Sequence, residues 1–400
     1  MIARFKPCTL HGTTNAPPSK SMAHRFLLGA ALCGQKCTLE GVDFSEDILA
    51  SIDCLRALGA NITIHNNTVT VDPQGFMNVK EPVLKCRESG STLRFFIPLA
   101  LCLGTNVTLC GSERLISRPL NVYEELCTDL GFTFVKGKNE ISLCGSLKSG
   151  SYGLRGDISS QFITGMILAL VYLGKDSSIE IIPPFESRSY VDLTISALAS
   201  FGADVKFTDE YKIEIKASEM HSFSGKIEGD YSNAAFLDAF NHIGSSVKVE
   251  NLRADSLQGD RVYADYFEQI ANGTPKLDIS NCPDLAPILF ALAALKNGAV
   301  FTGTDRLKDK ESDRGAAMHT ELQKLGGGLV FGDNVITVPK QELSYKGEAL
   351  DGHNDHRIVM AMSVVLSTVG GEINGAQAIK KSYPGFFDDI KRLGAEVELL

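Results

Sequence analysis

A recurring pattern constrains the fold of this 400-residue chain more than any other feature. A helix-like segment ends in Leu or Phe, a glycine follows, and strand-like residues come next. Glycine suits the left-handed position that commonly follows a helix. The first three copies are about 70 residues apart, which is too long for the common solenoid repeats and long enough for a small α/β module. The glycines of the pattern are Gly59, Gly131, Gly202, Gly326 and Gly394.

Two sets of helices are predicted around this pattern. The segments that precede the glycines, with one copy that lacks the glycine, are residues 51–58, 122–130, 191–201, 263–270, 316–325 and 386–393. A more apolar helix precedes each of them, at residues 23–32, 93–103, 162–173, 234–242, 285–295 and 358–369. Strand-like runs separate the two sets. The sequence therefore predicts six units of the type strand, helix, strand, helix, strand, strand.

Six such units would exceed the usual size of one domain, so we expect two α/β domains of three units each. A boundary is predicted in the polar stretch at residues 218–225. We place the first domain at residues 14–224 and the second at residues 225–400.

Composition excludes several classes of function. The net charge of −9 and the pI of about 5.5 argue against a nucleic-acid-binding protein, which needs a basic face. No apolar run is long enough to span a membrane, and no signal sequence is visible, so a cytoplasmic protein is expected. The ten cysteines include no C-x-x-C pair, so reduced thiols rather than a zinc site are expected.

Cations stand where the first helices begin. Polar residues at these starts are explained by capping of free backbone donors. Capping does not explain Lys20, Arg25, Arg94 and Arg357, because a positive charge opposes the dipole at a helix start. An anion bound at the helix starts would account for both features.

Residues 306–314 carry seven ionisable side chains of interleaved sign. They are predicted to form a loop between a strand at residues 299–302 and a helix at residues 315–325. The alternative is a solvated loop of ion pairs, which is the common reading of a charge run. Arg118, Lys310, Arg314 and Lys381 on such loops would add cations to an anion site, and their recurrence favours the functional interpretation.

Two other chemistries are disfavoured. Residues 29–36 resemble a phosphate-binding loop, but one residue too many precedes the lysine and no Ser or Thr follows it. His353 and His356 beside Asp355 could bind a metal, yet no third ligand is suitably spaced, and a hydrogen-bonding role at the helix start is preferred for His356.

Nine motifs in order along the chain resemble the 5-enolpyruvylshikimate-3-phosphate (EPSP) synthase family. They include Pro18-Ser19-Lys20-Ser21, Gly90 through Arg94, Arg118-Pro119, Ser159-Ser160-Gln161, Ser187 through Tyr190, Pro283-Asp284, Lys310 through Arg314, Asn354 through Arg357 and Lys381 through Pro384. The resemblance implies two inside-out α/β domains of three repeats, with the active site in a cleft that closes on substrate. It also implies that residues 1–13 pack with the second domain.

The resemblance also implies the ligands and the reaction, which is transfer of the enolpyruvyl group of phosphoenolpyruvate to the 5-hydroxyl of shikimate 3-phosphate. Residues implied for shikimate 3-phosphate are Lys20, Ser21, Arg25, Ser159, Ser160, Gln161, Ser187, Tyr190, Asp284 and Lys310. Residues implied for phosphoenolpyruvate are Lys20, Gly90, Arg118, Gln161, Arg314, Arg357 and Lys381. Asp284, Glu311 and Lys20 are the implied catalytic residues. No metal or organic cofactor is implied, and a monomer is expected.

Two positions depart from the family pattern. Glu88 stands where an Asn is common, and Arg306 also replaces a frequent Asn. A carboxylate beside an anion pocket would weaken phosphoenolpyruvate binding unless it turns outward or pairs with Arg87 or Arg118.

Two alternatives to this activity are disfavoured by single residues. A UDP-N-acetylglucosamine enolpyruvyl transferase would carry a reactive cysteine where this chain has Glu113, and Cys110 is out of register. A non-catalytic anion-binding relative would not require both Asp284 and Glu311.

Overall fold

The computed structural model describes residues 1–400 and contains thirteen α-helices. They are α1 (Lys20–Leu32), α2 (Glu46–Ala57), α3 (Gly90–Leu101), α4 (Glu113–Ser117), α5 (Asn121–Asp129), α6 (Ser160–Leu173), α7 (Arg188–Ala199), α8 (Tyr231–Asp238), α9 (Tyr263–Asn272), α10 (Ala286–Leu295), α11 (Arg314–Lys324), α12 (His356–Val369) and α13 (Phe386–Arg392). Short 3-10 helices cover Ala239–Ile243, Gly259–Val262, Pro283–Leu285, Asp305–Asp309 and Ala376–Lys381.

The strands are short, between two and six residues. They are β1 (Ile2–Phe5), β2 (His11–Asn15), β3 (Cys37–Glu40), β4 (Asn61–His65), β5 (Thr68–Asp72), β6 (Val83–Arg87), β7 (Val107–Gly111), β8 (Thr133–Lys136), β9 (Glu140–Cys144), β10 (Ser151–Arg155), β11 (Ser177–Ile182), β12 (Asp204–Phe207), β13 (Lys212–Lys216), β14 (Ser224–Lys226), β15 (Ser246–Glu250), β16 (Lys276–Asp278), β17 (Ala299–Thr302), β18 (Val330–Gly332), β19 (Val335–Val338), β20 (Leu350–Asp351), β21 (Gly371–Asn374) and β22 (Val397–Leu399).

Five of the six sheets share one pairing pattern, which confirms the repeated α/β unit. Each has one parallel pair joined through a helix or through a distant segment, followed by two antiparallel pairings. The strand orders are β14-β3-β5-β4, β6-β7-β9-β8, β10-β11-β13-β12, β16-β17-β19-β18 and β20-β21-β1-β22. In two of these sheets a strand from a remote part of the chain completes the set, namely β14 and β1.

The sixth sheet differs from the predicted unit. It contains only the parallel pair β2 and β15, so the two antiparallel strands expected after α9 are absent. The chain passes instead from α9 to β16, which belongs to the next sheet. The unit without the glycine is thus the incomplete one.

The chain divides into two compact units by its contacts. The first unit is Pro18–Glu228, and the second unit is Met1–Pro17 with Gly229–Leu400. Each has its own apolar core. The domain limits predicted from the sequence, residues 14–224 and 225–400, remain a prediction.

The first helix of most of the repeated α/β units is buried on nearly every side. In α10, nine of the ten residues are buried, and α12 packs against it. In the first unit α3 packs against α6 in the same manner. Because these helices are enclosed, their first turns are the places where polar groups can emerge from the core.

The predicted glycine caps are confirmed. All five glycines have positive φ, and the values are 98° for Gly59, 68° for Gly131, 85° for Gly202, 92° for Gly326 and 106° for Gly394. No helix of the chain is both long enough and apolar enough to cross a membrane.

Gly59 and Gly131 provide a matched pair for a stability test. A Cβ on Gly59 would meet the carbonyl oxygen of Gly75, whereas a Cβ on Gly131 would have no atom within 4 Å. We expect Gly131→Ala to cost only the left-handed strain, about 1–2 kcal/mol. Gly59→Ala should lose roughly 1–3 kcal/mol more, because backbone must move. Urea unfolding of both variants measures the difference, and equal losses would contradict the steric argument.

Candidate active site

A cluster of charged residues in the second unit surrounds Asp284. Asp284 lies in the 3-10 turn before α10, and its side chain is 23% exposed. One carboxylate oxygen accepts a hydrogen bond from Arg314 Nη1 at 2.7 Å, with Lys310 Nζ 3.6 Å away. The other accepts from Arg357 Nη2 at 3.0 Å. Three predicted site cations therefore meet at one predicted catalytic carboxylate.

Helix starts place these side chains. Arg314 is the first residue of α11, and Arg357 is the second residue of α12. Asp355 caps α12 by accepting a hydrogen bond from the backbone N–H of Arg357 at 2.9 Å. Its second oxygen accepts from Arg314 Nε and from the Ser312 hydroxyl, both at 3.0 Å. Asp355 thereby links the start of α11 to the start of α12.

The charges of this cluster shift each other's pKa values. Burial alone would raise the pKa of Asp284, but Arg357, Lys310 and Arg314 together hold it well below its ordinary range. Burial lowers the pKa of Lys310 to about 8, with nearby arginines adding to the effect and Asp284 opposing it. Asp284 is thus ionised at neutral pH, and Lys310 loses its proton more readily than an exposed lysine.

Glu311 faces a different partner. Its carboxylate lies 2.8 Å from Nδ1 of His356, whose side chain is 1% exposed. The Glu311 side chain is 15% exposed, so solvent and ligands can reach it. The cluster therefore contains two carboxylates in distinct settings, one held by cations and one held by an imidazole.

Glu311, Asp355 and His356 also lie close enough to one another for a shared metal ion. The hydrogen bonds of Asp355 argue against that use. Both of its oxygens already accept from donors, and one of these donors is the cationic Arg314. We therefore assign the three residues to the hydrogen-bonded cluster and not to a metal centre.

In the first unit, Arg25 brings together several residues implied for shikimate 3-phosphate. It is 3% exposed and donates to the backbone oxygens of Ser21 and Tyr190 at 2.7 and 2.8 Å, and to Thr194 Oγ1 at 2.9 Å. Burial lowers the pKa of Arg25 to about 10. Arg25 therefore joins the start of α1 to the start of α7.

A second group in the first unit forms around Gly90. Arg94 Nη1 donates to the Gln161 side-chain oxygen at 2.7 Å, and the Gln161 amide donates to Ser91 Oγ at 2.9 Å. A Cβ on Gly90 would lie 2.9 Å from Arg118 Nη1 and 3.7 Å from the Gln161 oxygen. A side chain at this position would displace the Arg118 guanidinium, which lies against the backbone at the start of α3.

The serines at the starts of α1, α3 and α6 act as caps. Ser19, Ser89 and Ser159 accept from backbone N–H groups of their own helices. Ser160 and Ser187 are buried, at 4% and 1% exposure. Ser187 precedes α7 with a positive φ of 57°.

Sequence reasoning missed the partner of Lys20. Its ammonium lies 2.9 Å from a carboxylate oxygen of Asp47, which is itself only 7% exposed. Asp47 stands in the first turn of α2, where an acidic residue is expected for the helix dipole alone, so the sequence offered no sign of this contact. From the sequence, Asp355 was also given no role in the site, although it accepts hydrogen bonds from Ser312, Arg314 and the backbone of Arg357.

Residues 306–314 are more ordered and more buried than a solvated loop. Asp305–Asp309 form a 3-10 helix, Asp313 caps α11, and Arg314 belongs to the helix. Arg306 and Arg314 are 9% and 2% exposed. The segment lies between β17 and α11 as predicted, but part of it is a 3-10 helix and Arg314 begins α11. The burial of Arg306 and Arg314 argues against the solvated alternative.

The contacts of Arg87 bear on the expectation that Glu88 pairs with Arg87 or Arg118. Glu88 is half-buried just before the Ser89 cap of α3. Its neighbour Arg87 is paired with Glu46 and with Asp53, so Arg87 has strong acidic partners elsewhere.

Comparison with known proteins decides the family. Residues 6–390 match the family model described as EPSP synthase (3-phosphoshikimate 1-carboxyvinyltransferase). A Clostridium kluyveri protein named 3-phosphoshikimate 1-carboxyvinyltransferase is 39% identical, and the alignment covers 98% of this chain and 97% of that protein. The Clostridium novyi protein of the same name is 37% identical over 98% of this chain and 97% of its own. The chain belongs to the EPSP synthase family.

Solved structures support the same fold at lower identity. An EPSP synthase from Acinetobacter baumannii superimposes with a TM-score of 0.80 at 23% identity, covering 99% of both chains. The enolpyruvyl transferase NikO from Streptomyces tendae gives a TM-score of 0.75 at 13% identity, covering 99% of this chain and 98% of that one. Members of the EPSP synthase family are transferases of the shikimate pathway, and this chain is an enzyme of that kind.

A buried carboxylate supports the loop that carries the family's Asn354-Asp355-His356-Arg357 motif. Glu321 of α11 is 0% exposed and accepts from the Asp351 backbone N–H at 2.8 Å, with His353 Nε2 at 2.7 Å and Lys324 Nζ at 2.9 Å. Lys381 Nζ donates to the backbone oxygen of Asn354 at 2.6 Å. The motif is therefore fixed from both sides.

This support should depend on pH. The hydrogen bond to Glu321 raises the pKa of His353, with Asp351 adding to the effect and burial and Lys324 opposing it. Burial opposes the shift at Glu321, yet the bonds from His353, Lys324 and the backbone of Asp351 lower its pKa.

The signs of the two shifts define a window. Stabilisation from His353 is complete below its unfolded pKa near 6.5 and is lost as pH rises through the higher folded value. Stabilisation from Glu321 is complete above about pH 4.5 and is lost as pH falls through the lower folded value.

We expect His353→Gln to lower the Tm most between about pH 4.5 and 6.5 and least at pH 9. Thermal melts across pH measure this, with His65→Gln on the exposed edge of β4 as control. A Tm difference that does not change with pH would contradict a charged His353.

Proposed function

We propose that the chain transfers the enolpyruvyl group of phosphoenolpyruvate to the 5-hydroxyl of shikimate 3-phosphate and releases phosphate, a step in chorismate and aromatic amino acid biosynthesis. Membership of the EPSP synthase family supports the proposal. The observation that carries it is the second-unit cluster, in which Asp284 and Glu311 stand beside Lys310, Arg314 and Arg357. Two carboxylates in different environments suit a reaction that moves two different protons.

Asp284 is proposed as the base for the acceptor hydroxyl. Its charge is neutralised by Arg314 and Arg357, which makes it a weak base. An arriving carboxylate or phosphate would share these guanidinium groups, because arginine binds such anions through paired hydrogen bonds. Sharing would move the pKa of Asp284 back toward its ordinary value, so the base would strengthen when the donor substrate is in place.

Glu311 is proposed as the acid and base for the methylene carbon. In the addition, the hydroxyl oxygen bonds to C2 of phosphoenolpyruvate, Asp284 takes the hydroxyl proton, and Glu311 protonates C3. In the elimination, Glu311 removes a proton from the new methyl group while the bond from C2 to the phosphate oxygen breaks. The imidazole of His356 holds the Glu311 carboxylate in one orientation throughout.

The remaining residues are proposed as substrate ligands. Those for shikimate 3-phosphate are Lys20, Ser21, Arg25, Ser159, Ser160, Gln161, Ser187, Tyr190, Asp284 and Lys310, and those for phosphoenolpyruvate are Lys20, Gly90, Arg118, Gln161, Arg314, Arg357 and Lys381. The contacts of Arg25 with Ser21 and Tyr190, and the close approach of Arg118 to Gly90, support these groupings. Action as a cytoplasmic monomer is a prediction from the sequence.

A direct assay tests the activity. Phosphate release from phosphoenolpyruvate should require shikimate 3-phosphate and should not occur with UDP-N-acetylglucosamine. Turnover with the sugar nucleotide would assign the chain to the other enolpyruvyl transferase activity. No turnover with either acceptor would favour an anion-binding protein without catalysis.

Glu311→Gln should separate chemistry from binding. The amide cannot transfer a proton, so kcat should fall by roughly a hundredfold or more. Affinity for shikimate 3-phosphate should stay within about twofold, because Glu311 is proposed to act on the other substrate. Steady-state kinetics and calorimetry measure the two effects. Asp313→Asn is the control, since Asn also caps helices well. A parallel collapse of shikimate 3-phosphate affinity would show that the assigned role is wrong.

Lys310 should make substrate affinity depend on pH. With a pKa of about 8, its ammonium loses its charge as pH rises from 7 to 9, so anion binding should weaken in that range. We expect the Kd for shikimate 3-phosphate to rise roughly five- to tenfold. Lys310→Arg should flatten the response, because arginine does not deprotonate. Lys308→Arg, at the exposed neighbouring lysine, should behave as the unchanged enzyme. An equal pH response in Lys310→Arg would exclude Lys310 as the titrating group.

A further inference from the structure

Two cysteines of the first unit lie in direct contact, away from the candidate site residues. Cys33 caps the carboxyl end of α1, and Cys37 begins β3. Their Sγ atoms are 3.4 Å apart. The two side chains are 6% and 1% exposed, but the turn between them, residues 34–36, is exposed. The pair is therefore close to the surface although neither sulfur is fully open.

The hydrogen bonds distinguish the two sulfurs. The Phe223 backbone N–H donates to Cys37 Sγ at 3.3 Å, and the backbone oxygen of Gln35 lies 3.2 Å from Cys33 Sγ and 3.4 Å from Cys37 Sγ. A hydrogen bond from the Cys37 thiol lowers the pKa of Cys33 to about 7, and the same contact raises the pKa of Cys37. The contact therefore favours the thiolate form at Cys33 and the thiol form at Cys37.

Four other cysteines of the same unit differ from Cys33 in burial or in pKa. Burial raises the pKa of Cys102 to about 12 and that of Cys127 to about 11. Cys54 and Cys86 are both 0% exposed, and burial raises the pKa of Cys54 well above its ordinary value. Since the thiolate is the reacting form, only a thiol of lowered pKa near the surface is expected to react at neutral pH.

We propose that Cys33 and Cys37 form a modification site at which a low-molecular-weight disulfide oxidises the pair to an intramolecular disulfide. The Cys33 thiolate attacks one sulfur of the disulfide, the S–S bond of the reagent breaks, and one thiolate of the reagent leaves. Cys37 then gives up its proton and attacks the Cys33 sulfur, which releases the second thiolate of the reagent. The protein loses two electrons and two protons, and the reagent disulfide is reduced to two thiols.

The structure permits the second step with a small movement. The sulfurs must approach from 3.4 Å to about 2.05 Å, the ordinary length of the bond. The turn between the cysteines has three residues, and Gly34 takes a positive φ of 71°, so the turn can adjust more readily than a helix or a strand. The intermediate mixed disulfide would be short-lived, because the resolving thiol is already in contact.

Glutathione and its disulfide serve as the probe. The folded protein is equilibrated in mixtures of the two, quenched in acid, alkylated and digested with trypsin. Cleavage after Lys36 places the two cysteines on separate peptides, residues 26–36 and 37–56, so an intramolecular bond appears as a joined pair. Fragmentation assigns the bond to Cys37 rather than to Cys54 in the second peptide.

Single variants identify the attacking and resolving sulfurs. Cys37→Ser should accumulate a glutathione adduct on Cys33, and Cys33→Ser should leave Cys37 unmodified. Alkylation of Cys33 by iodoacetamide in the unchanged protein should be at least about tenfold faster at pH 7 than alkylation of Cys127, with a midpoint near pH 7. Both variants should retain turnover when reduced, which shows that they are folded.

Two results would overturn the proposal. One is a native Cys33 that reacts no faster than Cys127. The other is a folded Cys37→Ser variant that forms no adduct at Cys33 when glutathione disulfide is present in large excess.

Discussion

The buried ion network of the second unit is the interaction on which the candidate site depends. Asp355 and Arg314 are 0% and 2% exposed and are bonded to each other, while Arg314 and Arg357 converge on Asp284. Removing one partner from a buried pair typically costs about 3–5 kcal/mol, because the other charge is left without compensation. The network also connects the starts of three helices, α10, α11 and α12. Its charges therefore hold the local fold and present the cations that the proposed reaction uses.

The same network explains how two carboxylates can have different roles. Asp284 is surrounded by three cations, which keep it ionised. Glu311, which precedes Arg314 by about three residues, is instead held by the imidazole of His356. Pairs of titratable groups whose surroundings differ in this manner are typical of acid and base assignments in enzymes. An anionic substrate would alter the first environment more than the second, because it competes for the guanidinium groups that Asp284 uses.

Periodic features of the fold could be predicted from the sequence. Strand β17 was predicted with its observed bounds, and the helix ends near Gly59 and Gly202 followed from the need for a left-handed residue. Helix starts were predicted two to five residues late in several cases, because the polar first turns, such as Lys20 to Met22, lack apolar periodicity. The two missing strands after α9 could not be foreseen, because nothing local marks a strand that is absent.

Long-range pairs in the site were the hardest features to predict. The contact of Glu321 with His353 spans 32 residues, and the contact of Lys20 with Asp47 spans 27. In each case the acidic residue is of a type common at its place in the chain, within a helix at Glu321 and at the start of a helix at Asp47, so the local sequence indicates no distant partner. The contact between Cys33 and Cys37 escaped for a related reason, since only the sharp passage from α1 into β3 brings sulfurs four positions apart together. The number of residues between two side chains indicates their distance in space when both lie in one helix or strand. It indicates much less when a turn separates them.

The placement of site residues at helix starts follows from how the units are built. A helix that is apolar on every side, such as α6 or α10, must be enclosed, and the backbone N–H groups that have no partner within the helix all lie in its first turn. Side-chain caps such as Ser159 and Asp355 satisfy some of these donors. Cations beside the remaining donors, including Arg94 in α3 and Arg357 in α12, are unfavourable for the helix alone. Their presence in the first or second turn of enclosed helices in both units is the expected result if each enclosed helix directs its positive end toward a bound anion, which the proposed phosphorylated and carboxylated substrates would supply.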